Sequence, residues 1–239
     1  MKCGDEMNQR LNKYNQPIGE ELSNWQKRKF PSDMYYVGAY TIVTRLSRTH
    51  IKELYNAYKN SHPSNWTYLP EEPPHNYEAF EQTLLEKIES STHVYYAVLN
   101  KETNKPLGIF SLMRIDQANG VIEVGNINFS DALRKTRIST EAHYLLAMYV
   151  FEELQYRRYE WKCDSLNAPS IKTAKRLGFK YEGTFRNAVI YKNRSRDTSW
   201  FSMLIEEWPL HKQALTQWLS EENFDDKGVQ VQRLEAFKQ

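Results

Sequence analysis

The stretch from Val121 to Phe179 constrains the fold more than any other part of the chain, because it reads as one continuous device. A strand (Val121 to Phe129) leads into a basic, hydroxyl-rich loop (Ser130 to Thr140). There follow a nearly all-apolar helix, a second strand (Tyr159 to Cys163), and Asn167-Ala-Pro-Ser170 running into Leu177-Gly178-Phe179. A crossover helix this apolar has to be buried against a sheet, and the strand that follows it directly makes a parallel unit. A loop that leaves a strand and opens a helix also turns unpaired N–H groups and the positive helix end towards one spot. A pyrophosphate needs that arrangement, so a nucleotide-bearing cofactor is the first reading.

Around this device the pattern predicts a strand over Tyr36 to Val43 and a helix through Tyr58, capped by Ser47 or Thr49. A loop from Ser61 to Asn76 carries four prolines, and Tyr77 to Glu89 has the spacing of an amphipathic helix. Val94 to Leu99 and Leu107 to Ile115 read as strands joined by a turn over 100–106. Thr184 to Tyr191 and Thr198 to Ile205 read as a hairpin across Lys192 to Asp197, with a terminal helix over His211 to Leu219. The expected organisation is a polar extension over 1–33, one domain over 34–219 and a charged tail over 220–239.

Composition excludes several classes. With 239 residues, 40% of them apolar, the chain can bury a sizeable core, yet its longest apolar run, Tyr144 to Phe151, is far too short to span a bilayer. Met1 to Lys29 is polar and has no signal-peptide core, so the cytoplasm is the expected location. Cys3 and Cys163 lie far apart, which argues against a disulfide framework or a metal cluster, and no metal is expected. The net charge of +2 gives no global field for nucleic acid. Local basic groups occur at Arg134 to Arg137, Arg157-Arg158, Lys172 to Arg176 and Lys192 to Arg196; only the first sits in a strand-to-helix loop among hydroxyls.

Four pieces, taken in order and at these distances, carry a resemblance: Glu123-Val-Gly125-Asn126, Thr136-Arg137-Ile-Ser139-Thr140-Glu141-Ala142, Asp164-x-x-Asn167-x-x-Ser170, and Leu177-Gly178-Phe179 with Glu182-Gly183. Together they resemble the GNAT family of acetyl-coenzyme A dependent N-acyltransferases, in its RimJ/RimL-like branch, with weaker similarity from about Tyr36 to Pro209. The resemblance implies an α/β (α+β) fold: a mixed, mostly antiparallel sheet with a central splayed parallel strand pair, flanked by helices. It implies transfer of an acetyl group from acetyl-coenzyme A to an amine by direct attack in a ternary complex. The amine would be a protein N-terminus, a polyamine or an antibiotic-like small molecule, and a homodimer is common among such relatives. A non-catalytic acyl-coenzyme A sensor is the alternative, favoured by two departures. Lys135 and Arg137 stand where the family loop carries glycines, and no general base is unambiguous.

On that resemblance, backbone amides of Arg134, Lys135, Thr136, Arg137, Ile138, Ser139 and Thr140 would close on the pyrophosphate. The hydroxyls of Thr136, Ser139 and Thr140 and the cations Arg134 and Arg137 would add donors. A plainer reading makes Ser139 or Thr140 a helix cap. Backbone groups of Ile127, Asn128 and Phe129 would pair with the pantetheine arm like an extra strand. Gly125 fits a bulge or a close ligand approach, with a packing glycine as the other reading. Asn167 reads as a helix N-cap and as a pantetheine partner at once, and Ser170 as the acid that protonates the departing thiolate. The tyrosine that often does so elsewhere in the family is Ala174 here. Glu123 is the base candidate by position, with a strand-end ion pair as the other reading. Glu141 reads as a helix-dipole partner, and Trp66, Tyr68, Tyr191 and Trp200 read either as lining for an acceptor cleft or as core.

Overall fold

In the computed structural model, residues 10–238 are described; Cys3 and the beginning of the expected extension lie outside them. The strands are β1 (Tyr35–Val37), β2 (Thr41–Arg45), β3 (Val94–Asn100), β4 (Pro106–Asp116), β5 (Val121–Phe129), β6 (Arg158–Asp164), β7 (Lys180–Tyr191) and β8 (Arg194–Leu204). The helices are α1 (Ile51–Lys59), α2 (Tyr77–Ile88), α3 (Arg137–Met148), α4 (Ala168–Leu177) and α5 (Trp208–Trp218). The eight strands form one sheet in the order β1-β2-β3-β4-β5-β6-β8-β7. Six of the neighbouring pairs are antiparallel and β5–β6 is parallel, as the crossover through α3 requires.

Period-two alternation along β3 sorts the core into two layers. Val94, Tyr96 and Val98 face α3 together with Phe110, Leu112, Ile122 and Val124. Tyr95, Ala97 and Leu99 face α1 and α2 with Ile42 and Ile109. β3 is thus buried on both faces and reads as a continuous apolar run. α3, expected over Thr140 to Leu154, starts three residues earlier, at Arg137, with Thr136 as its cap, and continues into a π-helical turn, Tyr149–Glu153.

Three expected boundaries move. The single strand expected over Tyr36 to Val43 is two strands, because Glu141 pulls a turn out of it. Its carboxylate accepts the N–H groups of Ala39 (2.6 Å), Tyr40 (2.7 Å) and Thr41 (2.7 Å). A Cβ at Gly38 would meet the Glu141 carboxyl carbon at 2.4 Å, so only glycine fits there. Glu141 is therefore a tether between α3 and the β1–β2 turn rather than a helix-dipole partner, since it lies beyond the first turn of α3. The six-residue link expected between β7 and β8 closes to Lys192-Asn193, both at positive φ (49° and 56°), the conformation a two-residue hairpin turn asks for. α5 starts at Trp208, with Pro209 in its first turn, rather than at His211.

Both terminal segments are anchored. Trp25 Nε1 donates to the Ala118 carbonyl (2.7 Å) and the Tyr156 hydroxyl to that of Lys29 (2.9 Å). Beyond α5, Leu234 is fully buried, and Lys238 Nζ donates to the Arg176 carbonyl (2.6 Å). Among the described residues no helix is long and apolar enough to cross a membrane.

Candidate active site

The sheet opens where β5 and β6 part. Their parallel register runs over four pairs, from Val121↔Arg158 to Val124↔Trp161. After Val124, β5 changes from buried to half-buried. Two bulges shape this region. The β4–β5 register slips between Ile109 and Ser111, opposite Asn126, whose φ is +49°, and again between Met113 and Asp116, where Arg114 has φ +46°. Bulges bend a strand and re-aim its side chains. Gly125 is a packing glycine beside the first of them: a Cβ there would meet Met113 Sδ at 2.3 Å. Asn126 Nδ2 donates to the Tyr95 hydroxyl (3.1 Å) and to Ser111 Oγ (3.2 Å), pinning the bulge.

At one end of the opening lies the loop from Ser130 to α3. Thr136 caps the helix: its Oγ1 accepts the Ser139 N–H (3.2 Å), and Ser139 Oγ donates to the Thr136 carbonyl (2.7 Å). The first helical N–H groups, at Arg137 and Ile138, have no partner within the helix. Lys135 occupies one of the positions where the family loop has glycine, and its φ is +61°. The backbone keeps the glycine-type conformation and the lysine bears its cost. The other departure, Arg137, is an ordinary first helical residue. Ser130 Oγ, at the head of the loop, is buried without a hydrogen-bond partner. A phosphate oxygen would satisfy such a donor. Unpaired amides, an orphaned hydroxyl and a positive helix end fit an anionic group.

The loop's side chains are deployed in ways the sequence concealed. The Arg134 guanidinium donates to Asn65 Oδ1, and Arg137 stacks 4.0 Å over the Tyr40 ring and 5.2 Å from Phe224. Thr140 Oγ1 accepts from Arg176 Nη1 (3.1 Å). Arg176 also lines a cleft of about 470 Å³ with Ala168, Ile171, Lys172, Lys175 and Glu235. α4 thus brings the basic Lys172 to Arg176 group to this end.

On the other side of the opening, Asn167 caps α4, its Oδ1 accepting the Ser170 N–H (3.2 Å). Ser170 Oγ accepts from Trp161 Nε1 (3.0 Å), which places it against the last parallel pair of the sheet. Ala174 is fully buried. Asn128 lies in the half-buried part of β5, in register with Ile109 of β4, and its carbonyl accepts the Tyr58 hydroxyl (2.7 Å). Ile127 and Phe129 pack against the α3-side core. Between Phe129 and Trp161 sits His143 of α3, ring centroids 5.5 and 5.2 Å away; burial pushes its pKa down to about 3, so it is a neutral core residue.

On the face opposite α3 the same strands carry charge. Glu123 is 4% exposed. Its Oε2 lies 2.9 Å from Lys162 Nζ and 3.2 Å from Arg114 Nε, within ion-pair reach of both yet without an aligned hydrogen bond from either. Burial raises the Glu123 pKa above the ordinary carboxylate value, against the pull of Lys162 and then Arg114. The ion-pair reading of Glu123 has its partners in Lys162 and Arg114. Lys162 also reaches Glu160 (2.7 Å) and lies 3.6 Å over the Trp200 ring. The sequence reading gave no role to Lys162, Glu160 or Arg114. Period-two spacing in β6 puts Glu160 and Lys162 on one face, and that was the one signal available.

Of the four aromatics proposed for an acceptor cleft, Trp66 is core, 3% exposed and edge-on to Tyr58. Trp200 lies under Lys162, the Tyr191 hydroxyl donates to Asp164 (2.8 Å), and that of Tyr68 donates to the Leu166 carbonyl (3.0 Å). The proline-rich loop that carries Tyr68 straps the mouth of the opening. His62 N–H donates to Asp131 (2.7 Å), Lys192 Nζ to the Trp66 carbonyl (2.8 Å) and Arg194 to the Thr67 carbonyl (2.6 Å).

Comparison with known proteins gives this geometry a family. The acetyltransferase (GNAT) domain matches residues 41–180. An uncharacterized N-acetyltransferase, p20 of Bacillus licheniformis, is 34% identical over 113 residues, 47% of this chain and 63% of that protein. YdaF of Bacillus subtilis, provisionally named a ribosomal N-acetyltransferase, is 31% identical over 42% of this chain and 55% of its own length. The chain therefore spans less than two thirds of either of these curated relatives. The crystal structure of a GCN5-related N-acetyltransferase from Brucella melitensis superposes with a TM-score of 0.89 at 41% identity, covering 91% of this chain and 99% of that one.

Proposed function

The chain belongs to the GNAT acetyltransferase family, whose members use acetyl-coenzyme A, and from that premise we propose that it moves the acetyl group to an amine by direct attack in a ternary complex. The observation that carries this reading is the parting of β5 and β6 after Val124↔Trp161, with the α3 N-terminus at one end and Glu123 beside it. A wedge of that shape suits the long pantetheine arm. Backbone groups of Ile127, Asn128 and Phe129 pair with it, Asn167 meets it from α4, and the loop from Arg134 to Thr140 takes the pyrophosphate.

The thioester is already activated, so little chemistry remains. The ammonium acceptor gives one proton to Glu123, and its nitrogen lone pair then forms the C–N bond at the thioester carbon. The C–S bond breaks, and the second nitrogen proton passes through the Ser170 hydroxyl to the departing sulfur. Holding amine and carbonyl in attack geometry is worth about 7–11 kcal/mol, whereas a positioned acid or base adds about 10²–10⁴ in rate. Positioning dominates.

The acceptor is a protein N-terminus or a small-molecule amine. The provisional name of YdaF favours a peptide. Mass spectrometry after incubation with acetyl-coenzyme A and a mixed panel of peptides, polyamines and aminoglycosides tests the reading, and acetylation of one class is the expected result. Coenzyme A binding without transfer to any of them would favour a sensor, and absence of both would remove the proposal.

A further inference from the structure

Resting on that reading, we propose that Lys162 is the positioning residue that keeps Glu123 ionised within the sheet, ready to take a proton from the acceptor. Glu123 and Glu160 are register partners on the adjacent parallel strands, 4% and 7% exposed. Two carboxylates buried side by side cannot both stay ionised without a cation, because burial and like charge each favour the protonated form. Lys162 supplies that cation to both, at 2.9 and 2.7 Å, from the first β6 residue beyond the last parallel pair. Its side chain is 6% exposed and seated on the Trp200 ring, so it cannot turn to solvent.

The surrounding charges divide unequally. Glu160 has a second cation, Arg158 Nε at 2.7 Å, whose Nη groups pair in turn with Glu182 of β7. Glu123 has a second cation only at the rim, Arg114 of β4, whose side chain is 60% exposed. The inner lysine is therefore the fixed partner of Glu123. Arg114 is the exchangeable one, at the place an incoming ammonium would take.

The test needs no acceptor. In the full chain labelled with ¹³C-glutamate, the Glu123 carboxyl carbon is identified by its loss in Glu123→Gln and titrated by NMR. Lys162→Met should raise the midpoint by at least about 1 on the pH scale, Lys162→Arg should restore it, and Glu160→Gln should lower it. A purely structural lysine would not move two variants in opposite directions. Should Lys162→Met fail to fold, Lys162→Gln is titrated in its place. A midpoint unmoved in both, or moved the same way, overturns the proposal. Where acetyl transfer is measured, the acid limb of its pH profile should follow the Lys162→Met midpoint, and a limb that stays put overturns the role. The expected titration in a chain that acetylates nothing supports the ion-pair assignment and counts against the enzymatic reading alone.

Discussion

One face of one sheet is built in two ways. Across β2 to β4 it is apolar and roofed by α1 and α2, with Ile42, Tyr95, Ala97, Leu99 and Ile109 packed on Leu54 and Tyr58. Across β5, β6 and β8 the same pleat carries Glu123, Glu160 and Lys162, nearly as buried in their side chains but charged, with the Trp200 ring under the lysine. Apolar burial stabilises by removing surface from water. Buried ions are kept in spite of their desolvation cost, which geometry and extra hydrogen bonds only partly offset. The contrast teaches that the roofed half holds the fold together while the open half holds charge in place for chemistry, so damage to the two should appear in different measurements.

The sharpest division comes from Glu123→Gln, expected to lower kcat/KM for acetyl transfer by about 10²–10⁴, with residual turnover and unchanged coenzyme A affinity in calorimetry. Loss of affinity would place Glu123 among the binding residues instead. In the roofed half, Leu54→Ala removes a side chain that is fully buried and should cost about 2–5 kcal/mol in denaturant unfolding. The protein that remains folded should bind coenzyme A as before; a changed affinity would mean the halves are not independent. Thr136→Glu puts a negative charge at the α3 N-terminus and should weaken coenzyme A binding at least about tenfold, some 1.4 kcal/mol. Smallest of all, Lys135→Gly relieves a left-handed non-glycine residue (φ +61°) and should raise stability by at most about 1 kcal/mol, read as a small upward shift in Tm. A marked fall would show that the lysine side chain has contacts that outweigh its strain.

The parallel unit was legible because each part of it is signalled within a few residues. The apolar crossover helix, the strand that follows directly, and Asn167 with Pro169 at the mouth of α4 are all neighbours in the chain. The β1–β2 turn was not, because Glu141 makes it from 100 to 102 residues away. For the same reason Arg134 and Arg137 looked like phosphate donors, while their partners, Asn65, Tyr40 and Phe224, come from remote segments.

By itself, then, the sequence determined the parallel strand pair, the capped helix that opens onto it and the family to which these belong, since caps, turns and periodicity act through adjacent residues. Only the tertiary structure decided the surroundings of Glu123. Lys162, Glu160 and Arg114 reach it through strand register and a bulge, and register is fixed by packing over the whole sheet rather than by any local run of residues.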